Sequence, residues 1–357
     1  MIDVQSIIVY LGLAVLCFLI ARLAELSDDK RWVWAIVLML SLVAGLRSIT
    51  VGIDAKNYDA WFRLIAGGNE GQIYGVEAAF ILASKLLLAV FNSTYVVFFF
   101  LAVFSHGPII FTLWKNREHL SFPWSVLCYY IMFYAMSLNG MRQFLAVALV
   151  IYATNFAREG KYLKFILMVL TATLFHLSAL VGFLYLFFEI PFLKRFGRRR
   201  KALLLTLCSL MGIGGIFALE YLMRSYGGYF DRQASSIGVM MLVKFGLLAL
   251  SLFVIGIPVD KEERKAALTF TAFYGLGIAL NSLSYIFLYM GRIGLYFYLM
   301  EAFFIGWIFK VKGSTLWVVL LKLLYGLFLL YFLYDLLVSN RQGELPYRFL
   351  WQVEGVF

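Results

Sequence analysis

The sequence predicts an all-α, polytopic membrane bundle of about twelve spans. Three observations carry that expectation. Hydrophobic residues make up 63% of the 357-residue chain and charged residues 14%, with a mean hydropathy of +0.87. Soluble domains hold roughly 45–50% apolar and about 25% charged residues. The apolar residues gather in runs close to the roughly 20 residues a helix needs to cross a bilayer. The basic residues fall between those runs in clusters, as in cytoplasmic loops. The same figures exclude a disordered chain, a collagen-like repeat and a disulfide scaffold. Cys17, Cys128 and Cys208 all lie in apolar runs, which excludes a disulfide framework and a thiolate metal cluster. The net charge of +11 reads as loop charge, and no nucleic-acid partner is expected.

The spans expected in chain order are 6–22, 32–46, 95–114, 122–138, 143–157, 163–175, 177–190, 202–223, 240–258, 266–290, 293–310 and 314–338. Met1-Ile2-Asp3 has no basic n-region, so the first run reads as a retained span that starts outside. Six clusters hold 19 of the 31 basic residues: 22–31, 115–117, 158–164, 194–201, 261–265 and 310–312. If all six are cytoplasmic, each neighbouring pair is separated by an even number of crossings. Two conditions satisfy that parity. The run Ala78–Phe91, about 14 residues with Lys85 in its middle, must not cross, and reads as an interfacial amphipathic helix within an extracytoplasmic loop 47–94. Residues 163–190 must fold as a tight hairpin of two short helices with its turn at Phe175–Ser178. The whole chain, 1–357, then forms a single transmembrane domain.

Parity places the loop 47–94, the turn 139–142, His176, the loop 224–239, the turn 291–292 and the tail 339–357 on the outer face. Eleven basic residues fall there, and eight are arginines: Arg47, Arg63, Arg142, Arg224, Arg232, Arg292, Arg341 and Arg348. Lys56, Lys85 and Lys244 complete the set. Arginine forks onto phosphate and carboxylate oxygens. Arg142 and Arg292 stand in the first turns of helices, where a cation is unfavourable by a few tenths to about 1 kcal/mol. A bound anion reverses that cost, and Asn139 suits the N-cap of the helix carrying Arg142. Any one of these arginines also fits headgroup snorkelling or a loop carboxylate. Arg47, Arg142 and Arg292 together point to a shared anion site.

The loop 47–77 brings Arg47, Asp54, Asn57, Tyr58 and Asp59 close together, with Glu77 at the start of the next helix. Loops of this length are usually functional or disordered, and Tyr58, Trp61 and Phe62 suggest packing on the membrane surface. His176 falls at the hairpin break, where a core role and a catalytic or ligand-binding role are both open. Glu301 and Lys322 lie roughly 12–14 Å deep in the last two spans, and a buried ion pair between them is expected ahead of a proton relay. No Walker-type loop, dinucleotide fingerprint, HExxH or metal-spaced His/Cys set occurs, and the outer acidic residues form no DxD pair. No cofactor and no metal site are expected.

Five blocks occur in order: 47–58, 77–80, Asn139-Gly-Met-Arg142-Gln143, Phe175-His176-Leu-Ser-Ala, and Gly291-Arg292-Ile-Gly-Leu-Tyr296. This series resembles the EpsG/Wzy-type bacterial polysaccharide polymerases over roughly residues 40–300. Ile53-Asp54-Ala55 departs from the commoner pattern, which has a Thr beside the Asp, and Ala78 stands where Pro is frequent. The resemblance implies a GT-C-like enzyme of the bacterial cytoplasmic membrane, working on its outer face by inverting, metal-independent glycosyl transfer. Its substrates would be polyprenyl-pyrophosphate-linked oligosaccharides of the exopolysaccharide or O-antigen kind, and a chain-length regulator protein is a possible partner. In that setting Arg142 and Arg292 would hold the pyrophosphate, with Arg47 assisting or holding the acceptor loop. His176, Asp54 and Glu77 are the candidate bases. Tyr58, Asn139, Gln143, Arg232 and Tyr296 would line the substrate site, with Tyr58, Trp61 and Tyr296 stacking on sugars. A glycan ligase of the same chemistry is the nearest rival. A transporter or flippase predicts an inverted repeat, which is not seen; a membrane acyltransferase leaves the outer arginines unexplained.

Overall fold

The computed structural model describes residues 3–186, 239–255, 261–284, 289–312 and 316–352. Among them every long element is a helix, and a single bridge between Arg47 and Phe349 is the extended pairing. Helices α1 (Val4–Ser27) and α2 (Lys30–Leu46) form a hairpin. Asp3 accepts from the Ser6 N–H and Asp29 from the Arg31 N–H, covering donors that a helix start leaves open. Next come α3 (Ala55–Ala66), α4 (Ala78–Phe91), α5 (Thr94–Lys115), α6 (Phe122–Asn139), α7 (Met141–Arg158) and α8 (Tyr162–Thr173). The chain turns at 174–176 into a 3-10 stretch, Leu177–Tyr185, which packs back on α8. Helices α9 (Val239–Ile255), α10 (Lys261–Leu283), α11 (Tyr289–Tyr298), α12 (Met300–Lys310) and α13 (Leu316–Val338) complete the described bundle.

Five helical runs are long and apolar enough to cross a membrane: Val4–Ser27, Thr94–Lys115, Glu263–Leu283, Met290–Lys310 and Leu316–Val338. Ala78–Phe91, Tyr162–Thr173 and Met240–Leu252 are shorter apolar helices. The expected span 202–223 and the end of 177–190 lie outside the described residues, as do Cys208, Arg224 and Arg232. Helix α6 explains part of the gap between twelve expected spans and five. It packs against α1, α5, α12 and α13 and is buried on nearly every side. Such a helix meets protein rather than lipid, so it tolerates Tyr129, Tyr130, Tyr134 and Asn139. Helices α1 and α13, by contrast, leave Leu19, Leu23, Leu327 and Leu330 exposed.

Helix α6 also defines two ends, about 27 Å apart at 1.5 Å per residue. At its Phe122 end, Arg117 meets Asp28 at 2.8 Å, Lys115 pairs with Glu159, Arg158 bonds Asn116, and Lys310 Nζ reaches the Arg117 carbonyl. At its Asn139 end lie the segment 47–54, the α6–α7 junction, the first turn of α1 and the tail 340–352. Small residues bring the remaining helices close. A Cβ on Gly277 of α10 would stand 2.3 Å from the Tyr298 nitrogen of α11, so these backbones touch only because the residue is glycine.

Three expectations are corrected. The segment 47–77 is not an irregular loop with its aromatics on a membrane surface. Tyr58, Phe62 and Ile65 share one face of α3 and are buried, with Phe62 ring centroids 6.2 Å from Phe80 and 5.5 Å from Phe98. Glu301 does not pair with Lys322. It meets Lys244 at 2.8 Å and accepts from the Tyr274 hydroxyl at 2.6 Å, while Lys322 Nζ donates to the Val311 carbonyl. Equal depth in two helices says nothing about which faces they present. Lys244 is therefore not an outer cation but 2% exposed inside the bundle.

Candidate active site

The Asn139 end carries two arginine environments. The first is closed. Arg47 ends α2 and is 1% exposed. Its Nη2 donates to the Leu138 carbonyl at 2.8 Å, and its guanidinium lies 4.9 Å from the Phe98 ring centroid. Beside it, the Asn139 side chain ties three segments. Its Oδ1 accepts from the Asp54 N–H at 3.2 Å, and its Nδ2 donates to the Gln342 carbonyl at 2.7 Å. Gly52, at φ +103°, makes the turn between Arg47 and Asp54; a Cβ there would sit 2.8 Å from Asn139 Oδ1. The tail closes over this turn through Gly52 N–H to the Gly343 carbonyl at 2.7 Å and Ile53 N–H to the Gln342 carbonyl at 3.1 Å.

The second environment is open. Arg142, in the first turn of α7, is half-buried and donates to the Gly75 carbonyl at 3.1 Å and to Glu77, with Trp61 beneath its guanidinium at 5.3 Å. Arg292, in the first turn of α11, is half-buried, and its backbone carbonyl accepts from Gln143 Nε2 at 2.6 Å. That bond joins the two helix starts. His176 sits at the break between α8 and the 3-10 stretch, in extended conformation at φ −160°. Burial pushes its imidazole down to about 3, and the guanidinium charges of Arg142 and Arg292 push the same way. His176 is therefore neutral at pH 7 and lies in the field of both arginines. Its Nδ1 is 2.6 Å from Ser178 Oγ, which donates to the Tyr296 hydroxyl at 3.1 Å. Glu77 completes the group through its ion pair with Arg142.

The structure thus brings Glu77, Arg142, Gln143, His176, Arg292 and Tyr296 together. It sets Arg47, Asp54 and Asn139 in the neighbouring closed turn. Tyr58 stands between them: it is buried, and burial raises its hydroxyl pKa while Arg142 pulls it back. Arg232 lies outside the described residues. Several assignments change. Asn139 is the last residue of α6, not the N-cap of α7; Gly140 holds that place. Arg47 is enclosed rather than presented beside Arg142 and Arg292. Tyr58 and Tyr296 are too buried to stack on a sugar. Other basic residues expected outside are held by carboxylates: Arg63 by Asp59, Lys85 by Glu70, Arg341 by Asp335 and Arg348 by Asp3.

Against known families, the EpsG family model matches residues 30–349. The chain belongs to the EpsG family. That family comprises Wzy-type polysaccharide polymerases, so this EpsG protein is an integral membrane polymerase of glycosyltransferase type. A polymerase of this family would act on a lipid-linked oligosaccharide. No curated protein and no solved structure matches the chain. The matched span contains both arginine environments and the tail up to Phe349.

Two groups of EpsG residues were not singled out by sequence reasoning. Ser178 is one: it stands in the Phe175-His176-Leu-Ser-Ala block, in which sequence reasoning gives a role to His176 alone. Gln342 and Gly343 are the other, and no local pattern marked them, because their partners lie about 200 to 290 positions away in the chain. No group of three or more His, Cys, Asp or Glu side chains suited to a metal occurs among the described residues.

Proposed function

We propose that this EpsG chain joins lipid-linked oligosaccharide repeat units by inverting glycosyl transfer, using a polyprenyl-diphosphate donor held by Arg142 and Arg292. One observation carries the reading: Gln143 ties together the two helix starts that carry Arg142 and Arg292, and both charges act on the buried imidazole of His176. The acceptor hydroxyl oxygen forms a bond to the donor's anomeric carbon as the bond to the diphosphate oxygen breaks. The electron pair leaves on the diphosphate, and the two arginines stabilise that charge where it grows. The hydroxyl proton passes to His176. A single displacement of this kind inverts the anomeric centre and calls on fixed cations in place of a metal ion.

Among the three candidate bases, His176 is favoured. Glu77 is engaged by Arg142, and the Asp54 backbone is tied into the Asn139 turn. A diphosphate bound to Arg142 and Arg292 offsets the charges that lower the imidazole and so raises its basicity toward that of an ordinary histidine. Glu77 has a different part here: it occupies Arg142 until the diphosphate takes its place. The lipid tail would leave sideways between helices, with α4 lying along the outer interface. The site faces outward in a GT-C-like bundle of about twelve spans in the bacterial inner membrane.

The test is chain growth from a purified lipid-linked repeat unit in EDTA, with products sized on a gel. A ladder supports polymerisation without a metal. Growth that requires an added divalent ion, or a single transfer to an unrelated acceptor, overturns it. For orientation, Tyr74, which is 85% exposed in the α3–α4 connection, serves as a label position. Tyr74→Cys should react with an impermeant thiol reagent applied to intact cells. Reaction only in inverted vesicles would reverse the assignment.

A further inference from the structure

The hydrogen bonds around His176 carry one step more, which rests on the reading of His176 as the base. Ser178 Oγ donates to the Tyr296 hydroxyl at 3.1 Å. A serine hydroxyl has one proton. With that proton spent on Tyr296, Ser178 can meet His176 Nδ1, 2.6 Å away, only through a lone pair. Nδ1 must then carry the hydrogen. A neutral imidazole carries one N–H, so Nε2 is the bare nitrogen.

The far end of this chain is firmly held. Tyr296 is fully buried in α11, and its backbone carbonyl accepts from the Tyr185 hydroxyl at 2.7 Å. Glycines 277 and 294 let α10 and α11 approach to backbone contact around it. Ser178 and Tyr185 belong to the 3-10 stretch, so two bonds tie that stretch to α11 on either side of the imidazole's anchor. The ring of His176 is thus anchored to the same helix that carries Arg292.

We propose that Ser178 and Tyr296 are positioning residues that hold His176 in its Nδ1–H tautomer and so assign Nε2 as the atom that accepts the acceptor hydroxyl's proton. In the transfer step the proton leaves the hydroxyl and binds Nε2. The imidazolium that forms keeps its Nδ1–H on Ser178. Neither Ser178 nor Tyr296 changes protonation, and the Nδ1–H···Oγ bond strengthens as positive charge appears on the ring.

The chain has three histidines, His106, His119 and His176, so nitrogen-15 labelling of histidine gives a spectrum of three imidazoles. His176→Ala assigns the third. The wild type at neutral pH should show a single neutral tautomer for His176, protonated at Nδ1. Ser178→Ala should mix the two tautomers and lower kcat about 10- to 100-fold, less than the roughly 10²–10⁴-fold that a general base supplies outright, with KM unchanged. Ser178→Thr keeps the hydroxyl and should restore both the tautomer and kcat to within a few fold. Tyr296→Phe should act in the same direction as Ser178→Ala and more weakly.

An Nε2–H tautomer in the wild type overturns the proposal. So does a Ser178→Ala variant that loses turnover with its tautomer intact, which would mark a purely structural role. Ser178→Ala at full activity overturns it as well. If instead His176→Ala polymerises normally, the base reading fails, while the wild-type spectrum still decides the tautomer on its own.

Discussion

Arg47 and the pair Arg142/Arg292 lie at the same end of one helix bundle, and their surroundings are opposite. Arg47 is 1% exposed, capped on a carbonyl of α6, laid over Phe98 and roofed by a tail from the far end of the chain. Arg142 and Arg292 are half-buried at helix starts, joined through Gln143, and both charges lower the same imidazole. One guanidinium organises the fold around it. The other two keep surface available for a ligand. A guanidinium alone therefore says little about function; how far the fold encloses it says more.

This contrast is tested most sharply by truncating each arginine. Arg142→Ala or Arg292→Ala should lower turnover by about 10²–10³-fold, the scale for losing one donor to a developing oxyanion. Membrane abundance and melting temperature should stay near wild type. Either variant making wild-type polymer ladders in cells would dissolve the distinction. Arg47→Ala should do the reverse. It leaves the Leu138 carbonyl without a donor and opens a void over Phe98, while removing the buried Nε and Nη1, which have no hydrogen-bond partner, for a net loss of about 1 kcal/mol in stability. The reading is a lower melting temperature in detergent, with the residual folded fraction still active. Normal stability with abolished turnover would move Arg47 into the ligand site.

A smaller effect probes the roof of the closed environment. Asn139→Ala removes the acceptor of the Asp54 N–H and the donor to Gln342. The expected loss is about 1–2 kcal/mol, since one or two modest hydrogen bonds go and the backbone groups keep partial access to water. Limited proteolysis should then cut the tail near 340–352 faster than in wild type. An unchanged cleavage rate would show that the tail holds the turn without Asn139.

Much of this arrangement was legible in the sequence because it depends on neighbours in the chain. Ala78–Phe91 forms a helix over the span read from its apolar run and Glu77 start. The break at His176 follows from a run too short for two full helices. Arg142 falls in a first turn because Asn139-Gly140 precede it, whereas the turn expected at Gly291-Arg292 is helical, with the helix already running from Tyr289. What escaped depends on contacts between distant segments. Lys244 finds Glu301 across 57 positions, and which face of each helix meets the other is set by packing that no local period reveals. Asn139 reads locally as a cap residue, yet Gln342, 203 positions away, takes its amide instead. The burial of Tyr58 and Tyr296 belongs to the same class: an aromatic near a helix end looks alike whether it faces a sugar or a core.

The subtlest expected effect concerns His176, whose surroundings join the two environments' logic in one residue. It is half-buried like the arginines beside it, and its imidazole titrates near 3 against an ordinary value of 6.5. A lowered histidine penalises the folded state once protons are offered: the unfolded chain binds one below pH 6.5 and the native chain does not until about pH 3. Stability from this source is therefore complete above pH 6.5 and falls as the pH drops toward 3. His176→Gln should flatten part of that acid loss without changing the melting temperature at pH 7.5. Substrate sharpens the test, because a diphosphate between Arg142 and Arg292 cancels the charges that help depress the imidazole. The acid limb of kcat, which reports the bound complex, should then lie at higher pH than the acid limb of kcat/KM, which reports the free enzyme. Coincident limbs would mean that the anion does not settle beside His176.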